Sequence, residues 1–438
     1  MRDKRSAAQY KKRGEKRALF KVFLQHQFPI FKTLKDIFRT KKRRFRDCFV
    51  TSPFDMTFLV LVIAVLSVGL VMMFSASYIY SWYSSGTDDP FHYIKRQVIF
   101  AIIGIVLMFI ASYIKPEIVR DMSSIIFLIS LALLVIVLFF PHIIEGKEDF
   151  KRWLAIPGTE ITFQPSEIAK FALITYLAFS LEKYQKLVEK KYWIIIPYII
   201  IVLMVCLLVA LENHLSGTIL ILGIGAAMVI FGGVRRDLII GLSVFAVVLG
   251  VLAFIFAKDL LKDYAYARIE LWLKMLFNVE LTPEEVAGNA WQNVHSLYAI
   301  GSGGIFGLGF GNSRQKHLYI PEPQNDFVFA VVCEELGFIG AIIIIALFVL
   351  LVGRGFVIAL RSRTKYGALL AMGISFQVGL QAALNIAVVT ATVPNTGISL
   401  PFFSNGGTSL VMLLVEMGLI MAVSRNTDPK KEERKIRK

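Results

Sequence analysis

The sequence predicts an all-α, polytopic integral membrane protein with ten transmembrane helices and both termini in the cytoplasm. Three observations predict it. Of 438 residues, 56% are hydrophobic and 18% charged, at a mean hydropathy of +0.64; soluble domains run nearer ~45–50% apolar and ~25% charged. Ten apolar runs approach or reach the ~17–25 residues that cross a bilayer. Lys and Arg, finally, crowd alternate connecting segments, as cytoplasmic retention requires. Disordered, fibrous and disulfide-scaffold classes are excluded, as is a soluble enzyme built on one core.

The elements follow in order. Residues 1–53 form a basic tail with 17 Lys/Arg against 4 Asp/Glu. Within it, Ile30, Phe31, Leu34, Ile37 and Phe38 recur at helical spacing behind Pro29. That pattern suits a short amphipathic helix on the inner leaflet, or a plain basic tail. The membrane domain covers 54–424, with spans near 54–78, 97–114, 122–141, 165–181, 192–211, 215–233, 238–257, 327–352, 366–390 and 406–424. The fourth is weakest, because Glu167 and Lys170 interrupt it. Fifth and sixth are separated only by Glu212, Asn213 and His214. With the N-terminus inside, the inner segments carry Lys115, Arg120, Lys183, Lys186, Lys190, Lys191, Arg235, Arg236, Arg354, Arg361, Arg363 and Lys365. The outer ones carry Asp88, Asp89, Glu145, Glu148 and Asp149. Residues 425–438 form a second basic tail, with 7 Lys/Arg against 3 Asp/Glu.

The net charge of +16 therefore lies in the two tails, +13 and +4, leaving −1 for the rest. Membrane-flanking charge explains this better than nucleic-acid binding, and no nucleic-acid partner is expected. Cys48, Cys206 and Cys333 show no metal or disulfide spacing. The first 53 residues are too long and too charged for a cleaved signal peptide, so the first span reads as a retained anchor.

Two outer segments exceed simple turns, about 142–164 and 258–326, and such loops on a helical scaffold commonly carry function. The longer opens amphipathically (Ile269, Leu271, Leu273, Met275, Leu276) and then becomes glycine-rich: Gly301, Gly303, Gly304, Gly307, Gly309, Gly311. It lacks GxGxxG and a preceding strand, so it is no nucleotide loop. It either packs backbone against helices or touches a ligand head group. Asp326 ends this loop before the eighth span; it is either a helix N-cap or a general base with a raised pKa. Arg314, Lys316 and His317 lie just upstream, either for phosphates or for lipid head groups. Arg152 and Trp153, then Gln164, Pro165, Ser166, Glu167 and Lys170, form a second group, in which Glu167 and Lys170 share a helix face and can pair. Glu334, Glu335 and Glu416 are further intramembrane acids, with Glu335 a partner for a nearby cation or a member of a proton relay. The last outer turn, PNTGISLPFFSNGGTSL, breaks helix at Pro394 and Pro401 and offers Ser404, Asn405, Thr408 and Ser409. It reads as a re-entrant segment lining a cavity.

These segments together resemble the SEDS family (shape, elongation, division and sporulation), the RodA and FtsW type. The resemblance is carried by RWLAIPGTEITFQPSEIAK, ENHLSGTIL, AIGSGGIFGLGFGNSRQKHLYIPEPQNDFVFAVVCEELGFIGA and PNTGISLPFFSNGGTSL, in family order. The long basic N-tail and the SNGGTSL ending lie closer to the FtsW and sporulation members than to RodA. The resemblance implies a peptidoglycan glycosyltransferase that polymerises lipid II, the undecaprenyl-pyrophosphate-linked disaccharide pentapeptide, outside the membrane. It makes Asp326, which opens the DFxFA stretch, the catalytic acid. It places the QPSExxK motif on Gln164, Pro165, Ser166, Glu167 and Lys170, and the loop lysine on Lys316. The chain departs from the family in Gln324 and Asn325 before the acid. It departs again at the PDLGT turn, where His214 stands.

The mechanism expected is one inverting displacement, with Asp326 as base and Lys316, Arg314 and Arg152 facing the pyrophosphate. Gln164, Ser166, Glu167, Lys170, Ser404 and Asn405 would contact substrate. No organic cofactor is expected; a divalent cation, Mg or Mn, is compatible with the scheme. The resemblance also implies a class B penicillin-binding protein transpeptidase as partner, among other divisome or elongasome membrane proteins. Two other readings stand beside the enzyme: a lipid II flippase using Lys170, Glu167 and Glu416, and a non-catalytic divisome scaffold.

Overall fold

The computed structural model describes residues 52–84, 89–142, 151–155, 162–188, 195–233, 263–277, 279–288 and 290–425. The amphipathic stretch of the N-tail, the span near 238–257, Glu145, Glu148, Asp149, Arg235, Arg236 and residues 426–438 lie outside them.

The described residues are mostly helical. Among these residues, six helices are long and apolar enough to cross a membrane: α1 (Met56–Ser84), α2 (His92–Tyr113), α3 (Pro116–Phe139), α11 (Val328–Arg361), α12 (Lys365–Val389) and α13 (Gly407–Arg425). Two shorter apolar helices, α6 (Ile195–Leu211) and α7 (Leu215–Phe231), follow the fifth and sixth predicted runs. The fourth run is α4 (Pro165–Lys183), followed by a single turn, α5 (Gln185–Val188). α4 packs against α3, α6, α7, α12 and α13, and Ala169 through Ala178 are all buried. Its low hydropathy thus has a cause: an interior helix meets protein, not lipid, and can carry polar groups.

The purely α expectation is corrected at one place. Leu154–Ala155 (β1) and Thr162–Phe163 (β2) pair antiparallel, Leu154 with Phe163. The ladder sets the entry of α4, where Pro165 occupies the first turn without a missing bond.

The ends of the membrane domain meet at one face. Arg425 donates to the Ser52 carbonyl, Ser424 accepts from the Asp55 amide at 3.0 Å, and Asp55 caps Phe58 N–H at 2.9 Å. Arg354 grips Asp55 bidentately, at 3.1 and 2.6 Å. At the opposite face lies the long loop, with α8 (Asp263–Leu276), α9 (Pro283–Ala287) and α10 (Trp291–Gly303). α9 opens with a capping box between Thr282 and Glu285. Trp272 and Ser296 tie the loop to α12 through the carbonyls of Ala391 and Val389 (3.1 and 2.7 Å).

α11 is interrupted at Gly337, which has φ 67°. The break frees the carbonyls of Glu334 and Glu335 and the amides of Phe338 and Ile339. The glycine-rich loop takes all four: Leu308 and Gly309 donate to the first pair, and the carbonyls of Gly304 and Ile305 accept from the second. A Cβ on Gly307 would stand 2.1 Å from Glu335 O, and one on Gly337 2.3 Å from Gly307 N. The glycine run is therefore backbone packed on a helix.

Candidate active site

Asp326 stands at the loop face, one residue before Phe327 and the start of α11, and is half-buried. It is not an N-cap: Phe327 holds that position, with no side-chain cap. Asn385 of α12 donates from Nδ2 to the Asp326 carbonyl at 2.7 Å and to the Ile398 carbonyl at 2.6 Å. A Cβ on Gly397 would lie 3.3 Å from Asp326 Oδ2, so the carboxylate leans over the main chain of the 394–405 segment. Asn405 N–H donates to Gln324 O at 2.8 Å, a second tie between that segment and the loop.

The 394–405 segment is non-helical, as its two prolines require, and re-enters the bundle. Its Ser404 accepts from Leu400 N–H at 2.7 Å, an internal turn. Gln97 of α2 donates to Ser404 O (3.2 Å) and accepts from Gly406 N–H (3.3 Å). Between α4, α12 and α13 this segment borders a small polar cleft. Glu167, Ser404, Asn405, Ser409, Gln381 and Glu416 are among its lining residues.

The cleft holds charge. Lys170 Nζ lies 2.9 Å from Glu167 Oε1, the i,i+3 pair expected from the sequence. Lys170 also donates to Gln381 Oε1 (3.3 Å), and Ser409 donates to Glu167 Oε2 (3.0 Å). Glu416 is buried and accepts from Gln377 Nε2 at 2.8 Å. Ionic groups in an apolar bundle must find partners of this kind.

Gln164 and Ser166 face away from the cleft's charges, to His214 Nδ1, at 3.2 Å each. An amide N–H can only donate, so Nδ1 accepts. Burial holds the His214 imidazole well below its ordinary pKa, with Arg152 and Lys170 pushing the same way. His214 is thus a neutral anchor for the start of α4. Arg152 donates to the Asn213 carbonyl in the same turn. Both oxygens of Glu212 are buried without a hydrogen-bond partner, and burial lifts its carboxyl to about 8 against the opposing pull of Arg152.

Lys316 requires a correction. The sequence suggested an open, phosphate-facing cation. Instead Lys316 is 4% exposed, and its Nζ lies 2.7 Å from Glu335 Oε1, 3.1 Å from Ser75 Oγ and 2.7 Å from Gly311 O. Glu334 accepts from the Arg314 and Gln315 amides and from Ser313 Oγ. The two glutamates beside the Gly337 break therefore pin the loop from beneath, as structural anchors. Arg314 and His317 are the exposed members of the cluster. Arg152, on the 151–155 strand segment, points instead to the α6–α7 turn.

The comparisons with known proteins agree with this architecture. A family model described as "Cell cycle protein" and covering FtsW, RodA and SpoVE matches residues 55–429. This chain belongs to the FtsW/RodA/SpoVE family. It is 36% identical over 375 residues to stage V sporulation protein E of Bacillus subtilis, covering 86% of this chain and 98% of that protein. It is 34% identical over 379 residues to a probable peptidoglycan glycosyltransferase FtsW of Trichlorobacter lovleyi, covering 86% and 95%. Among solved structures, a chain from a peptidoglycan synthase complex that coordinates polymerization and crosslinking superposes with TM-score 0.68 at 25% identity, covering 85% of this chain and 98% of that one. The rod-shape-determining protein RodA of Thermus thermophilus gives 0.59 at 26% identity, covering 85% and 97%. As a member of this SEDS family with six long apolar helices, the chain is a multi-pass protein of the cytoplasmic membrane.

Sequence reasoning missed Gln97, Gln377, Gln381 and Asn385. The last three recur every fourth residue along one face of an apolar helix, a signal that polar residues within spans do give. Among the described residues, no three His, Cys, Asp or Glu side chains converge. Those described residues form no protein cage for Mg or Mn.

Proposed function

We propose that this SEDS protein is a peptidoglycan glycosyltransferase that joins lipid II units at the outer face of the cytoplasmic membrane. The observation that carries the reading is the Asp326 carboxylate, set at the loop face over Gly397, in the segment whose Ser399, Ser404 and Asn405 line a polar cleft. The Lys/Arg bias supports ten spans with both ends inside, which puts that face outside. The meeting of Ser52 and Asp55 with Ser424 and Arg425 at one face supports an even number of crossings.

In the reaction, the 4-hydroxyl of an acceptor GlcNAc attacks C1 of the donor MurNAc. The O4–C1 bond forms as the C1–O bond to undecaprenyl pyrophosphate breaks, and the leaving diphosphate takes the electron pair. Asp326 accepts the hydroxyl proton, which is typically worth ~10²–10⁴-fold. One attack inverts C1, giving a β-1,4 bond from an α-linked donor. Arg314 stabilises diphosphate charge, on a loop that Lys316 holds in place. Glu167, Lys170, Ser404 and Asn405 bind the sugars at the cleft. Gln164, Ser166 and Arg152 keep the start of α4 in register. The structural likeness to a complex that also crosslinks supports a class B transpeptidase partner.

A lipid II flippase is the second reading, favoured by the buried Lys170 and Glu416 and by the half-buried Glu167 that pairs with Lys170. Incubation of the purified protein with lipid II in detergent separates the two, since no transbilayer step exists there. Glycan strands support the enzyme; none, from protein that still moves lipid II in vesicles, supports the flippase.

A further inference from the structure

We propose that Asn385 is the positioning residue for Asp326: one buried carboxamide clamps the loop bearing the acid to the segment on which its carboxylate rests. The inference depends on the reading of Asp326 as the general base.

Asn385 is fully buried, two turns along α12 from Gln377. Its two Nδ2 hydrogens serve two different stretches of chain, Asp326 O at 2.7 Å and Ile398 O at 2.6 Å. Ile398 follows Gly397, the residue the Asp326 carboxylate overhangs. A single rigid, planar amide therefore fixes both sides of that contact, the acid's own main chain and the floor beneath it. Gln381, one turn back, holds the next residue by its Nε2, at 3.0 Å from Ser399 O. The clamp thus rests on a membrane helix, and such elements position groups better than loops do. Only a primary amide does this without charge: Ala removes both donors, and Asp replaces them with an acceptor facing two carbonyls. Misplacement by about 1 Å can cost ~10²-fold in rate.

The test uses the full chain in detergent, with lipid II as the probe. Asn385→Ala and Asn385→Asp should lower kcat on the order of tenfold or more, with KM held within about twofold, because an acid is misdirected and substrate binding is not. Asp326→Asn runs alongside; if it polymerises normally, the base reading fails, whatever Asn385 does. A second measurement is independent of activity. In Asp326→Cys, made together with Cys48→Ser to remove the tail thiol, the main-chain carbonyl that Asn385 holds is retained, so the thiol reports how firmly position 326 is seated. Adding Asn385→Ala should raise its reaction rate with a charged maleimide on the order of fivefold. The buried Cys206 and Cys333 should stay unlabelled. An unchanged rate at position 326, or labelling of Cys206 and Cys333 along with it, would overturn the clamp.

Discussion

The Lys316 ammonium lies 2.7 Å from Glu335 Oε1, with 4% and 0% of the two side chains exposed. This pair joins the long loop to the segment before the Gly337 break, and Ser75 of α1 donates to the same carboxylate at 2.7 Å. Breaking a buried pair leaves one charge uncompensated, which costs about 3–5 kcal/mol. Lys316→Met should therefore lower thermal stability in detergent sharply. The double variant Lys316→Met/Glu335→Leu should recover most of the loss. A single variant that melts like the wild type would show that the pair is not buried.

The helix break makes its own prediction. Gly337→Ala places a Cβ 2.3 Å from Gly307 N at φ 67°, where strain alone costs about 1–3 kcal/mol. It should loosen residues 304–309, seen as faster hydrogen exchange at Leu308 and Gly309. Gly301→Ala, with nothing within 4 Å of its Cβ, is the control and should leave exchange there unchanged.

Glu212, in the turn between α6 and α7, predicts a pH dependence. Burial raises its carboxyl from 4.5 to about 8. A raised folded-state pKa means that folding binds the proton, so its contribution is full below 4.5 and is lost as pH rises towards 8. Glu212→Gln should flatten the stability profile between those values and stabilise the protein at the upper end. A slope unchanged by the substitution would refute the assignment.

At the cleft, Lys170 compensates Glu167 directly at 2.9 Å. Lys170→Met should destabilise the bundle by about 3–5 kcal/mol, and adding Glu167→Gln should restore part of it. Measured melting temperatures of the three proteins in one detergent decide this; strict additivity of the two losses would contradict the pairing.

Much of this was legible in sequence, for physical reasons. Apolar run length marked the long helices, since only bilayer thickness sets it. The i,i+3 spacing of Glu167 and Lys170 gave their pair, because helix geometry alone brings them together. The glycine run was legible as close-packed backbone, but its partner, the break at Gly337, was not. That break appears only when the loop's donors and acceptors are matched to the four groups it frees. Lys316 misled for the same reason: a loop cation looks exposed until Glu335, 19 residues on, folds beneath it. The β1–β2 ladder is two residues long on each side, too short for any periodicity. Asp326 was singled out from its place before the eighth span. Asn385, 59 residues away, carried no local sign of reaching it.

Polymerisation of lipid II by purified Asp326→Asn protein in detergent tests the assignment of the base most directly. The melting temperature should be unchanged, because the carboxylate is half-buried and the isosteric amide fills its place. Glycan strands should fall by ~10²-fold or more. Strands made at the wild-type rate would contradict the assignment.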